Sequence, residues 1–384
     1  RDVVRPDIAG LMGAYGAALC AMRLEKSSIL SPEELAKFSH TSRPAVCKGC
    51  ENRCKLTINT FADGGRFISG NRCERGAGGK KAEEELPNLY KYKRETLLAM
   101  GGGEARRGRI GLPLALGMYE LLPLWSGIFH ALGFEVVLSD MSDRGTYEAG
   151  QFTIPSDTAC YPAKIMHGHV ARLLEKGVDA VFYPCLTQNF DEGDTDNHFN
   201  CPVVAYYSEL LRGNMPELTD ENFLYPHLNI CDEKGLAAEL GKALSKRFGR
   251  ISAREMRAAV KKGMADYQAY MAGVRQKGEE ALIWARAHKK RIMVLAGRPY
   301  HIDAEIGHGI DQLATSLDFA VVSEDSVYHL AKTPEVHVLN QWTYHARLYR
   351  AAAFVATQTD VEFVQLVSFG CGVDAITTDE VRAI

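Results

Sequence analysis

Residues 8–19 run Ile8-Ala9-Gly10-Leu11-Met12-Gly13-Ala14-Tyr15-Gly16-Ala17-Ala18-Leu19, a small-residue apolar pattern that predicts a helix suited to close packing. The rest of the chain has a different texture, so residues 1–26 read as a stub whose packing partner lies outside it. Residues 27–46 read as a polar connection with one helix start, Ser31 as N-cap, Pro32 at the first helical position and Glu34 three residues on. Leu56-Thr57-Ile58-Asn59-Thr60-Phe61 alternates, Ala62-Asp63-Gly64-Gly65 turns, and Arg66-Phe67-Ile68-Ser69 returns, which predicts a β-hairpin. Residues 80–108 are charged and then glycine-rich, and Gly101-Gly102-Gly103 reads as a flexible linker.

From residue 109 short apolar runs alternate with helical patterns. Strands are predicted at Arg109–Pro113, Phe134–Leu138, Ala180–Tyr183 and Pro202–Tyr206, with helices at Tyr119–Leu132 and 161–175. Residues 233–290 read as mostly helical, with a long polar stretch from Ala253 to Lys289. A second unit follows, with strands at Ile292–Ala296, Phe319–Val322 and Phe363–Val367. This alternation predicts an α/β fold with parallel sheets covered on both faces. The expected organisation is a remnant at 1–26, a cysteine module plus linker at 27–108, a first lobe at 109–232, a helical connection at 233–290 and a second lobe at 291–384.

Composition narrows the class. An apolar share of 46% and a charged share of 24% are those of a soluble globular protein, and 384 residues suffice for two or three domains. A net charge of −3 suggests no nucleic-acid or anionic-membrane partner. No run approaches the roughly 20 apolar residues of a membrane span. The chain opens Arg1-Asp2, with neither an initiator Met nor a secretory signal, and reads as a piece of a longer cytoplasmic polypeptide. Its ten cysteines, in a chain of this texture, point to metal or redox chemistry rather than to a disulfide framework.

Cys47, Cys50 and Cys54 fall within eight residues, and the hairpin would carry Cys73 back to them. Four thiolates around one centre suit zinc or an iron–sulfur cluster. Zinc sites of this kind usually come as two paired knuckles. The three-plus-one grouping here favours a [4Fe–4S] cluster, with zinc as the alternative.

Cys160 precedes a helix, Cys185 follows the strand ending at Tyr183-Pro184, and Cys371 follows the strand at 363–367 through Ser368-Phe369-Gly370. Ligands bind at the carboxyl edge of open α/β sheets, and a helix N-terminus favours a thiolate. The competing reading makes each a small buried hydrophobe. Cys201, beside Pro202, is a weaker fourth candidate, while Cys20 and Cys231 read as packing residues. Gly297-Arg298-Pro299-Tyr300-His301 also follows a strand, so Arg298 and His301 would face the same crevice, Arg298 for an anion and His301 for proton transfer. A structural ion pair and a turn histidine are the alternative. His167 and His169, two apart on a helix, do not form a metal pair, and Glu324 or Asp325 reads as a helix cap. No Gly-Lys-Ser phosphate loop and no Gly-x-Gly-x-x-Gly fingerprint follows a strand.

Taken together, several motifs resemble the acyl-CoA dehydratase activase-related proteins, long forms of the CoA-enzyme activases. They are Cys47-Lys48-Gly49-Cys50-Glu51-Asn52-Arg53-Cys54, Arg66 to Gly76, Gly111-Leu112-Pro113, Pro155-Ser156-Asp157-Thr158 with Cys160-Tyr161-Pro162-Ala163-Lys164, and Phe182-Tyr183-Pro184-Cys185. Gly297 to His301 and Ser368 to Ala375 complete the set, which covers nearly everything from 47 to 384. The resemblance implies that residues 1–22 are the last helix of an upstream actin-like ATPase domain. It implies two Rossmann-like lobes around a [4Fe–4S] cluster, as in 2-hydroxyacyl-CoA dehydratase subunits, with Cys160, Cys185 and Cys371 as its ligands by motif match. A related group holds a double-cubane cluster with more thiolates, for which Cys201 is the one extra candidate here.

The fold expected is therefore a small cysteine-rich β-hairpin module followed by two Rossmann-like parallel-sheet lobes with a helical connection. The function expected is an iron–sulfur redox module taking ATP-driven low-potential electrons from an activase for reduction or dehydration of an acyl-CoA or other small molecule. The rival is a non-enzymatic scaffold, stabilised by zinc or a cluster, that docks an activase ATPase to a separate dehydratase. A homodimer stays open in either case.

Overall fold

The structure, a computed structural model, describes residues 9–23, 30–48, 53–62, 64–71, 86–193, 195–368 and 370–384. It divides into two compact units, Arg1–Val46 with Lys55–Gly70, and Cys47–Cys54 with Asn71–Ile384.

In the smaller unit the small-residue run forms α1 (Met12–Ala21), and Met12, Tyr15 and Leu19 stay exposed with no residue of the helix buried. The α2 helix (Pro32–Lys37) starts at the expected capping box: the Glu34 amide donates to Ser31 Oγ at 3.2 Å, and the Ser31 amide to Glu34 Oε2 at 2.8 Å. Strands β1 (His40–Val46), β2 (Lys55–Phe61) and β3 (Arg66–Ser69) form an antiparallel meander in that order. The expected hairpin is β2–β3, with Ile58 opposite Ile68. The segment read as a polar connection supplies β1, in register His40 with Phe61. Its exposed, mostly polar residues hid it, because an edge strand with no buried face shows no alternation.

The larger unit begins with α3 (Leu89–Leu98), β4 (Arg109–Leu112), α4 (Met118–Leu132), β5 (Glu135–Leu138), α5 (Arg144–Gly150), α6 (Tyr161–Glu175), β6 (Ala180–Phe182), α7 (Pro202–Asn214) and β7 (Phe223–Leu224). Its four strands form a parallel sheet in the order β5-β4-β6-β7. Helices α8 (Glu233–Phe248) and α9 (Ala253–Ala287) lead to β8 (Arg291–Ala296), α10 (Ala304–Gly307), α11 (Ile310–Ser316), β9 (Phe319–Ser323), α12 (Glu324–Val327), α13 (Thr343–Ala356), β10 (Val361–Gln365) and α14 (Gly372–Ala383). The second sheet is also parallel, in the order β10-β8-β9. The α/β fold expected from the alternation is the one observed. Ala180-Val181-Phe182 and Phe319 to Ser323 are buried along their whole length, as strands covered on both faces must be.

Helix α9 is the spine. Met256, Ala259 and Val260 pack into the core of the first sheet, and Ala281, Leu282 and Ala285 into that of the second. At about 1.5 Å per residue it is roughly 50 Å long, enough to serve both. It lies close on α4 because Gly263 and Gly127 meet there, and a Cβ on Gly263 would strike the Leu124 carbonyl. Two local readings are corrected. Residues 202–206 open α7 instead of forming a strand: Pro202 is at the first helical position, and the buried face continues through Ala205, Ser208 and Leu211 at helical spacing. Gly102, in the run read as a flexible linker, pairs with Val136 on β5 through bonds of 2.7 and 2.8 Å.

The two lobes are joined by buried charge. Arg347 on α13, 1% exposed, binds Glu120 on α4 and reaches Glu192 after β6 at 2.7 and 2.8 Å. Burial holds the Glu120 carboxyl above its usual range despite the arginine. On α3, buried Lys93 pairs with Asp325 at 2.6 Å, and Arg94 with Asp311 at 2.6 Å. Glu324 accepts the Gly297 amide at 3.0 Å, and burial together with Asp325 pushes its pKa to about 7.

Removing the cation strands two carboxylates in the interior. Arg347→Met should lower unfolding free energy by about 3–5 kcal/mol, read from urea denaturation. A loss under about 1 kcal/mol would show that this cluster does not hold the lobes together. Glu324 carries a pH prediction. Its folded pKa of about 7 exceeds the ordinary 4.5, so its contribution favours the fold below the ordinary value and is lost as pH rises through about 7. Glu324→Gln keeps an acceptor for Gly297 without the charge. The variant should melt higher than the parent protein near pH 8, with the gap closing near pH 5. Parallel melting curves at both pH values would rule this out.

Candidate functional site

In each sheet the chain departs from a first strand to both sides: β5 and β6 flank β4, and β9 and β10 flank β8. The crevice beyond the strands' carboxyl ends at such a point is where open α/β sheets hold ligands. A cavity of about 40 Å³, more than one water needs, is lined by loops from both of these points. Leu116 comes from the loop after β4, Arg298 and Tyr300 from the loop after β8, and Cys371 from the loop after β10. Leu116 sits at φ 50°, a left-handed conformation uncommon for a branched residue.

Three cysteines line this cavity, each the N-cap of a helix: Cys160 of α6, Cys201 of α7 and Cys371 of α14. Pro162 and Pro202 fix the first turns of the two first-lobe helices, so two thiols from one lobe and one from the other converge at the positive ends of helix dipoles. Burial pushes the Cys160 and Cys201 thiols up, and the neighbouring thiol of Cys371 adds to this. The Ala163 amide near Cys160, the Val203 and Val204 amides near Cys201, and Arg298 pull the other way. The amides lie close without completing a hydrogen bond to either sulfur.

Arg298 is 5% exposed and pairs through both terminal nitrogens with Asp374, two residues into α14 beyond Gly372. Burial opposes ionisation of Asp374, but Arg298 and the Ser368 amide, 2.9 Å away, hold its carboxyl below the usual range. Arg298 also approaches His345 Nε2 at 3.3 Å and the Tyr300 hydroxyl. Burial and then Arg298 drive His345 down to about 3, so its ring is neutral. Its Nδ1 is buried without a hydrogen-bond partner, in a residue that lines the cavity. The cavity thus offers three sulfur donors, a buried guanidinium and an unpaired imidazole nitrogen among apolar walls. That donor set fits a thiolate-held, negatively charged inorganic group.

The placements differ from expectation at two residues. Cys185 does not line the cavity: its Sγ turns beneath α7 to Ser208 Oγ at 2.9 Å. His301 does not line it either, since its Nδ1 accepts the Arg298 amide at 2.8 Å, and burial followed by Arg298 lowers it to about 3. Cys201 takes the place expected of Cys185. Its Cys-Pro step was visible, but the strand reading of 202–206 hid its position at a helix start. Asp374 lay within the Ser368 to Ala375 motif but was given no role there, and His345 carried no sequence signal. In the cysteine module the Cys47 amide donates to the Cys54 carbonyl at 2.9 Å, while Cys50 and Cys73 lie outside the described residues. His167 and His169 are held apart by Tyr207 and Thr153 on one side and by Ser142 and Ser139 on the other. Among the described residues no helix is long and apolar enough to cross a membrane.

No curated protein matches the chain. Residues 109–327, more than half of it, match the family described as CoA enzyme activase uncharacterised domain (DUF2229). The match takes in both sheets' first strands, Cys160, Cys201 and the Arg298 loop, and the chain belongs to that family.

Proposed function

We propose that the two lobes form an iron–sulfur redox module in which Cys160, Cys201 and Cys371 hold a [4Fe–4S] cluster between residues 109–232 and 291–384. Electrons come from an ATP-driven activase in a reducing, cytoplasmic compartment, and the substrate is an acyl-CoA or a related small molecule. The observation that carries this reading is the meeting of three helix-capping cysteines, from both lobes, in one cavity beside a buried arginine. Packing alone gives no reason for such residues, up to 211 apart in sequence, to meet there (371 less 160).

A cluster held by three thiolates supplies one-electron chemistry and leaves one iron without a protein ligand. The chain's own residues do the rest. Burial keeps the Cys160 and Cys201 thiols protonated, so binding requires their protons to leave, and Arg298 and the helix amides favour the two thiolates that remain. Asp374 holds Arg298 in place against Cys371. Neutral His345 accepts from Arg298 through Nε2, so its unpaired Nδ1 carries the ring proton and can donate a hydrogen bond to a sulfur. Leu116, Phe199 and Trp342 give the cavity apolar walls. A second centre, at Cys47, Cys50, Cys54 and Cys73, would relay electrons if it is a cluster or stiffen the module if it is zinc.

The test is anaerobic reconstitution with iron and sulfide, followed by metal analysis and electronic spectra. Cys160→Ser, Cys201→Ser and Cys371→Ser should each lower iron by about one cluster, while Cys185→Ser leaves it unchanged. If the triple Cys→Ala variant of the cavity cysteines keeps all its iron and an unaltered spectrum, the cavity is not a cluster site.

A further inference from the structure

The thiol that turns away from the cavity stands in a cluster of its own. Cys185 follows β6 and His227 follows β7, and main-chain bonds clamp the two segments side by side: the Cys185 amide donates to the Pro226 carbonyl and the Leu228 amide to the Cys185 carbonyl, both at 3.0 Å. Residues opposed in a parallel ladder point to the same face of the sheet. On that face α7 supplies Glu209, whose Oε1 lies 2.9 Å from His227 Nε2. A ring nitrogen of His227, a carboxylate oxygen of Glu209 and Cys185 Sγ all lie within 4.8 Å of one another.

We propose that Cys185, Glu209 and His227 bind a divalent transition cation, zinc being the best fit, at the outer carboxyl edge of the first sheet. Sulfur, imidazole nitrogen and carboxylate oxygen are the donors zinc takes, at about 2.0–2.3 Å, and a tetrahedral site spaces its ligands by roughly 3.3–3.8 Å. The observed spacing needs only small side-chain rotations to close on an ion. An exposed histidine–glutamate pair is ordinary by itself. A sulfur 1% exposed, aimed at that pair and fixed by two backbone bonds, is not. The sulfur is supported from behind by Ser208, fully buried and 2.9 Å away, whose hydroxyl can donate to a thiolate. The exposed side, where Glu209 and His227 face solvent, leaves a fourth position for water. Since burial raises the Cys185 thiol, affinity should rise with pH as the proton is displaced.

Bound metal would staple the ends of β6 and β7 to α7, the helix whose first residue follows Cys201. This site shares no ligand with the cavity and stands independently of the redox reading.

Cobalt(II) provides the probe, because its thiolate complexes absorb in the near ultraviolet. The experiment titrates anaerobically purified protein with cobalt. His227→Ala and Glu209→Gln leave all ten cysteines in place, so the other thiols contribute the same background in every sample. The parent protein should bind one equivalent more than His227→Ala, with the matching share of the charge-transfer band. Glu209→Gln should weaken that equivalent about tenfold or more. The Cys160→Ser, Cys201→Ser, Cys371→Ser triple variant should retain it. Zinc should raise the melting temperature of the parent protein more than that of His227→Ala. Both variants alter exposed side chains, and melting without metal checks their folding. Equal cobalt stoichiometry and identical spectra for the parent and His227→Ala would overturn the proposal.

Discussion

A guanidinium with almost no access to water cannot sit in a protein interior without compensation, and Arg347 sets much of the geometry of the larger unit for that reason. Its partners, Glu120 on α4 and Glu192 after β6, belong to the first lobe, whereas α13 belongs to the second. Any parting of the lobes would separate these charges in a medium that screens them poorly. The same helix carries His345 two residues earlier, so the ion cluster also holds one wall of the cavity in position.

Beside that cavity a second buried ion pair works differently. Arg298 and Asp374 neutralise each other, yet the arginine lies at the loop after β8 and the aspartate in the first turn of α14, whose N-cap is Cys371. The pair therefore ties together the two loops that diverge at the second sheet's switch point. The Cys160 and Cys201 thiols raised by burial, amides at helix starts and one arginine together make a place receptive to a group able to replace thiol protons. The cysteine that falls outside this arrangement meets a histidine and a glutamate instead, at the far side of α7.

How far the chain could be read in advance depended on which forces decided each element. The α6 and α4 helices and the strands β6, β8 and β9 were legible because their apolar runs are buried on their own account. β1 was not, since its residues are mostly exposed and only pairing with β2 makes it a strand. β10 was placed two residues late, at 363–367 instead of Val361–Gln365, because periodicity marks a strand's existence better than its ends. The opening of α7 was misread because two valines after a proline look like a strand until Ser208 and Leu211 are seen to continue one helical face.

The sequence by itself determined the α/β alternation, the capping box at Ser31, the cysteine-bearing loops and the Arg298 turn, since each follows from residue type and local spacing. Only the tertiary structure decided which cysteines meet. Cys185 and Cys201 both stand beside a proline at the same edge of the same sheet, and no local rule separates them. The choice rests on the docking of α7, which points its N-cap sulfur into the cavity and covers the other with Ser208. Helix docking is settled by packing across the whole lobe, and that information is spread over residues too distant in sequence for any motif to carry.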